Sequence, residues 1–382
     1  MPDDHSTIAG TVKRLRLIRS APPRLSELRT ALEAIERSDI YTNYGPVNAA
    51  LEDAFQDHFG GGACLTVSSA TVGLMLAMKQ AAHHRPGRRY AVMPTFTFAA
   101  TAQAALWSGL TPILCDIDPI DWLASAEYEQ TIMDKMGEQV AVMIPCATFA
   151  QSFDLSRYRE FEARYGCAVV LDAAPALGTR RDGLQLSIGG GAISVFSMHA
   201  TKAFATFEGG VLHSDDPDVI QELRGMGNFG FSGGRSAIMP GLNSKLSEVA
   251  ALLGLEQIGR IDDIAARRTR LAGHYRELLA GFGMQPDTGE AQSHMFMPVL
   301  LPARLASRRA EIQGRLKCAA VETGTYYSPH LAEQPYFAAT CRFGPLPVSQ
   351  DVADRVLALP LHEQMSVDDV TRVAESLLQA CA

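Results

Sequence analysis

The sequence predicts an α/β fold: a large domain on a mostly parallel sheet over residues 1–250, then a smaller α+β domain over residues 251–382. Three observations carry this reading. From about residue 48 to residue 225, short apolar runs alternate with segments of helical spacing, the pattern of crossover connections between parallel strands. A long helical stretch over residues 247–282 then changes the texture of the chain. It sets Arg260, Arg267, Arg268 and Arg270 against Glu256, Asp262 and Asp263, as on a partly solvated amphipathic helix. Beyond it, residues 294–301 and 321–327 read as strands and residues 367–379 as a closing helix.

Taken in order, residues 47–58 have helical spacing and residues 64–68 form the first strand. Residues 71–82, rich in Leu, Met and Ala, read as a helix; residues 90–94 are the next strand and 98–108 the next helix. Strands at residues 112–116, 140–145, 168–172, 192–196 and 210–213 bring the predicted sheet to seven. Strands covered on both faces are continuous apolar runs, as these are. In such sheets ligands bind beyond the carboxyl ends of the strands. Ser69, Thr71, Phe98, Asp172, Ser197 and Lys202 all fall at or just after those ends.

Composition narrows the classes. An apolar fraction of 47% with 20% charged residues excludes a disordered chain. The net charge of −8 argues against nucleic acid as a partner, since no strong basic field exists to replace phosphate counterions. The one basic run, from His83 to Arg89, reads as a solvated loop. The seven cysteines show no CxxC spacing, and four lie in or beside apolar runs, which fits a reducing, cytoplasmic compartment. Met1 to Ser6 is polar and lacks the apolar core of a signal peptide. No apolar run approaches the ~20 residues of a membrane span, so no membrane partner is expected.

The chemistry begins with a pair. Asp172 ends the apolar run Val169-Val170-Leu171, and Lys202 follows Val195-Phe196-Ser197-Met198-His199-Ala200-Thr201. An acid at one strand end and a lysine near the next is what pyridoxal 5'-phosphate needs. The carboxylate keeps the pyridine nitrogen protonated, and the amine bonds the cofactor aldehyde. Ser69-Ala70-Thr71 opens a helix, which makes it either an ordinary serine cap or an anion site for the cofactor phosphate. Phe98 reads either as a core ring or as one stacked on the pyridine, with the small Ala174 on the other face.

Together these segments resemble the DegT/DnrJ/EryC1/StrS family of fold-type-I pyridoxal phosphate aminotransferases. The resemblance rests on Tyr41-Thr42-Asn43-Tyr44-Gly45-Pro46, Ser68-Ser69-Ala70-Thr71, and Met93-Pro94-Thr95-Phe96-Thr97-Phe98. It continues through Asp172-Ala173-Ala174, Phe196 to Lys202, Glu208-Gly209-Gly210 and Gly241-Leu242-Asn243-Ser244-Lys245, then Tyr327-Ser328-Pro329-His330-Leu331 and Leu357 to Leu361.

The resemblance implies that Lys202 and Asp172 are catalytic. It further implies that Ser69, Ala70, Thr71, Phe98, Asp172, Ala174, Ser197, Lys202 and Asn243 hold the cofactor. Asn243 would reach the phosphate in the neighbouring subunit, so a homodimer with shared sites is implied. Tyr44, His199, Asn228, Tyr327 and His330 are the implied substrate contacts, with packing an equal role for His199. No metal site is expected. Two positions depart from the family pattern: Pro175 stands where a glutamine is usual, and Lys245 where many members have arginine. The implied reaction moves an amino group from L-glutamate to a keto group, at C4 in preference to C3, of a nucleotide-linked deoxy sugar. Its product would serve a surface polysaccharide or a glycosylated metabolite. Another cyclic ketone (an inosose or an aminoshikimate-type precursor) and a non-catalytic ligand sensor are the alternatives.

Overall fold

In the computed structural model, which describes residues 13–19 and 21–382, all seven expected strands form and join one sheet. They are β1 (Ala63–Val67), β2 (Tyr90–Pro94), β3 (Thr111–Cys115), β4 (Val140–Met143), β5 (Ala168–Asp172), β6 (Ile193–Ser197) and β7 (Gly210–Ser214). The reading of Met1 to Ser6 lies outside the described residues. Three further strands belong to the C-terminal part, β8 (Met297–Leu300), β9 (Arg342–Phe343) and β10 (Val356–Leu359). The two-residue β9 adds an eighth member at the edge beside β3, giving the order β1-β7-β6-β5-β4-β2-β3-β9. β7 runs antiparallel to both β1 and β6, and the remaining pairs are parallel.

Helices α1 (Pro46–Phe59), α2 (Ala70–His83) and α3 (Ala99–Trp107) fall where the spacing put them. Pro46 sits at the first helical position of α1, where a missing N–H costs nothing. α2 lies hard against the sheet because residue 73 is glycine. A Cβ there would come within 3.0 Å of Leu212 and 3.1 Å of Val195.

Two expectations change in the C-terminal part. The single long helix is two, α4 (Glu248–Ile258) and α5 (Ile261–Leu278), broken at Gly259 and Arg260. Glycine is a poor helix former, and the Gln257 side chain beside the break is held by the Ala205 amide at 2.6 Å. Residues 321–327 do not form a strand. They make isolated bridges at Val321 and Gly324, while the partner of β8 is β10 (Val356–Leu359), antiparallel. Gly324 lies against Leu17 and Tyr326, so this segment is held by side chains and not by a ladder. Leu15, Tyr275, Val299, Ile312, Leu357 and Val373 share one apolar cluster, closed by α6 (Val367–Cys381). Among the described residues no helix is long and apolar enough to cross a membrane, and no cluster of potential metal ligands occurs.

Candidate active site

A cavity of about 320 Å³ opens at the carboxyl ends of β1, β2, β5 and β6. Its lining takes in Ser69, Ala70, Thr71, Phe98, Asp172, Ala174, Ser197, His199, Lys202 and Tyr327, so ten of the expected site residues meet there.

Asp172 is the last residue of β5 and is buried. Its Oδ2 accepts from the Thr101 hydroxyl at 2.6 Å, and its Oδ1 from the Ala174 amide at 3.2 Å. Burial pushes this carboxyl above the usual carboxylate range. The two hydrogen bonds and the charge of Lys202 oppose that rise. Lys202 lies in the turn after β6 with its Nζ 3.1 Å from the Met295 sulfur. Burial brings its amine down to about 8, against the opposing pull of Asp172. An amine brought that close to neutrality gives up its proton far more readily than an ordinary lysine, as a base requires.

At the other end of the cavity, Ser69 caps α2 by accepting from the Val72 amide at 3.3 Å. The first amides of a helix have no acceptor within it, so Ala70 and Thr71 remain as donors for an anion. Gly210 permits this approach, since a Cβ there would stand 2.8 Å from the Ala70 nitrogen. Ser197 ends β6 and its hydroxyl accepts from the His199 amide at 3.2 Å. His199 Nδ1 accepts from the Thr201 amide at 3.2 Å, which assigns the ring proton to Nε2, 3.4 Å from Glu208.

Phe98 precedes α3, is 59% exposed and lines the cavity. Its ring centroid is 6.5 Å from that of Tyr327, which itself stacks on Phe149 at 5.4 Å. These residues fit pyridoxal phosphate: an exposed aromatic ring, a small residue in Ala174, an anion cradle, a buried acid and an amine. Pro175 also lines the cavity and brings no donor, as the sequence indicated.

Tyr44, Asn228 and His330, the other expected substrate contacts, lie outside this lining. The Tyr44 hydroxyl bonds the Arg224 carbonyl at 3.5 Å, with the guanidinium over its ring. Asn228 accepts from Lys245 at 3.1 Å, and His330 is buried with Nδ1 3.2 Å from the Thr95 hydroxyl. Asn243 faces Asn228 across an antiparallel bridge, also outside its own chain's cavity.

Several lining residues were not anticipated. Ile18, Met295, Phe296 and Tyr326 arrive from segments remote in sequence, and Glu208 carried no assigned role in its motif. Thr101, buried and outside the lining, was not anticipated either; it lies in the first turn of α3, three residues after Phe98.

The family model for the DegT/DnrJ/EryC1/StrS aminotransferase family matches residues 24–378. Protein Rv3402c of Mycobacterium tuberculosis is 32% identical over 378 residues, covering 97% of this chain and 91% of its own. The dTDP-4-amino-4,6-dideoxy-D-glucose transaminase of Escherichia coli is 26% identical, covering 96% and 98%. Among solved structures, a putative PLP-dependent aminotransferase from Bacillus cereus superposes with a TM-score of 0.89 at 34% identity, covering 96% of this chain and all of that one. DesI, solved with its TDP-sugar product, gives 0.85 at 29%, covering 96% and 93%. A match of that extent makes the chain a member of the DegT/DnrJ/EryC1/StrS aminotransferase family and a pyridoxal phosphate-dependent enzyme.

Proposed function

We propose that the protein transfers an amino group from L-glutamate to the C4 keto group of a nucleotide-linked deoxy sugar. The observation that carries this reading is the likeness, over 96% of this chain, to a relative named for a dTDP-4-amino-4,6-dideoxy sugar. The lining supports it as well: Ile18, Met295, Phe296 and Tyr326 form an apolar wall suited to a deoxygenated carbon.

When bound, pyridoxal phosphate supplies the aldehyde carbon that takes the donor's amine and a ring that accepts the electrons of a broken Cα–H bond. Ser69, Ala70, Thr71 and Ser197 would hold its phosphate, Asp172 its ring nitrogen, and Phe98 and Ala174 its two faces. Lys202 moves the proton. Its free amine takes one from the donor's Cα and, in the reverse direction, delivers one to the sugar carbon. The donor leaves as an oxo acid before the sugar enters, so ping-pong kinetics follow.

The basic side chains of the lining are Lys202 and His199, few for an anionic donor and a diphosphate. Asn243 is exposed and lies next to Lys245, outside their own chain's cavity. This favours a homodimer in which they complete the neighbouring site. All seven cysteines are free, in keeping with a cytoplasmic enzyme that makes an amino sugar for a polysaccharide or a glycosylated metabolite.

The test is a visible absorption spectrum of the cofactor-loaded protein with excess L-glutamate, followed by keto-sugar nucleotides. The expected result is loss of the lysine-linked band with glutamate and its return with a 4-keto-6-deoxy sugar nucleotide. Return of the band with an inosose, and not with any sugar nucleotide, would overturn the substrate assignment.

A further inference from the structure

Beside Asp172 lie two threonine hydroxyls, Thr97 in the cavity lining and Thr101 buried outside it, to which neither the sequence motifs nor the family pattern quoted above assign a role. Thr101 is fully buried in the first turn of α3, and Thr97 lies one turn before it. Their oxygens are 3.4 Å apart, and the Thr101 oxygen is 2.6 Å from Asp172 Oδ2. A carboxylate only accepts, so the Thr101 proton points to Asp172; the Thr97 hydroxyl is then the donor to the Thr101 oxygen. The Cys146 thiol also lies within hydrogen-bond reach of both threonine hydroxyls, and the short Thr101–Asp172 bond is the strong member of the group.

The placement is not what a helical threonine usually does. Such a hydroxyl commonly donates back to the carbonyl of the preceding turn. Thr269 does so here, at 2.9 Å from the Ala265 carbonyl. Thr101 instead gives its only proton to the acid 71 positions along the chain.

We propose that Thr101, backed by Thr97, is a positioning residue that fixes the Asp172 carboxylate in its ionised form and turns its remaining lone pairs to the cofactor's ring nitrogen. Burial works against ionisation of Asp172, and two donors offset it: the Ala174 amide, which any residue at 174 other than proline supplies, and the Thr101 hydroxyl. Among the described residues Thr101 is the side chain that hydrogen-bonds the acid, while Lys202 acts on it only through its charge. Losing it leaves Asp172 to hold a proton itself, and an acid that holds its own proton no longer protonates the ring. The inference rests on the cofactor chemistry above and not on the identity of the ketone.

The experiment compares Thr101→Val, Thr101→Ala and Thr101→Ser, each purified and loaded with pyridoxal phosphate carrying ¹⁵N in the ring. Three quantities are read: the ¹⁵N shift of the bound ring, the cofactor dissociation constant, and the single-turnover rate with L-glutamate. The valine and alanine variants are expected to move the ¹⁵N signal toward the unprotonated ring. They should also slow the single turnover by roughly ten- to a hundredfold, the worth of one hydrogen bond to a charged group. Serine, which keeps the hydroxyl, should restore the ring signal and bring the rate to within about threefold of the parent. Should the valine variant not fold, the smaller alanine carries the same expectation. A protonated ring with an unchanged rate in either variant overturns the proposal, as does serine behaving like alanine. Failure of the sugar assignment would leave the ¹⁵N result untouched, so the two readings fail separately.

Discussion

Two charged centres stand close together around residues 294 and 295, and they are built in opposite ways. Arg268 is buried and donates from Nε and Nη2 to Glu363 Oε2 at 3.0 and 2.7 Å, and from Nη1 to the His294 carbonyl at 2.6 Å. One residue on, Met295 meets Lys202, whose amine has a thioether as its side-chain partner. Among the described residues Lys202 and Asp172 share no hydrogen bond or ion pair; each influences the other only through space. A structural charge commits its donors to permanent partners, because an unpaired buried charge is costly. The cavity pair keeps donors and lone pairs in reserve, and the cofactor is what they are reserved for.

The largest effect that would break this contrast is at Lys202. Replacing it with alanine removes both the covalent link and the base, and single-turnover transfer from L-glutamate should fall at least roughly 10⁴-fold. Because the amine supports no neighbour, the thermal unfolding midpoint of the cofactor-free protein should hold or rise. A clear drop would give Lys202 a structural role after all.

Arg268→Ala is the mirror experiment. It strands Glu363 and the His294 carbonyl, and should cost about 3–5 kcal/mol in denaturant unfolding. The lysine-linked absorption band should survive wherever the variant is folded. Loss of the band without loss of stability would merge the two centres into one.

The smallest effect is a pH dependence. With its amine at about 8, Lys202 is mostly protonated at neutral pH. The rate at which cofactor-free protein captures pyridoxal phosphate should therefore climb about tenfold per pH unit below that value and level off above it. Stability follows the same sign. The folded amine titrates below its unfolded value of roughly 10.4, so the penalty for burying the charge is relieved as pH rises from about 8 toward that value. Stopped-flow absorbance and unfolding at several pH values check both; a flat capture profile would return Lys202 to the ordinary amine range.

Much of this was legible in the sequence, for a physical reason. Parallel strands deliver their ends to one side of the sheet, so Ser69, Phe98, Asp172, Ser197 and Lys202 converge without any knowledge of distant packing. The motifs are local, and the fold does the rest. What could not be read was the closing wall. Ile18 and Met295 enter from opposite ends of the chain, and their placement depends on how the C-terminal part packs on the sheet. The same limit explains His330. The family resemblance placed it with Tyr327 facing the substrate; in the structure the imidazole is buried against Thr95, outside the cavity lining. Gly259, which splits the long helix, was visible but tolerated by the periodicity, since one glycine lowers helix propensity without abolishing it.

The wall contributed by Met295, Phe296, Tyr326 and Tyr327 has a consequence for synthesis of the chain. Residues up to 250 contain Lys202, Asp172 and the anion cradle, yet about fifty more must leave the ribosome before any part of that wall exists, and nearly eighty before Tyr327 does. Domains fold as units from the N-terminal side during translation. A nascent chain therefore carries Lys202 before the residues that complete its burial exist, and the lowering of its amine by burial comes only with them. Rapid capture of the cofactor's aldehyde at neutral pH is thereby tied to docking of the last third of the chain.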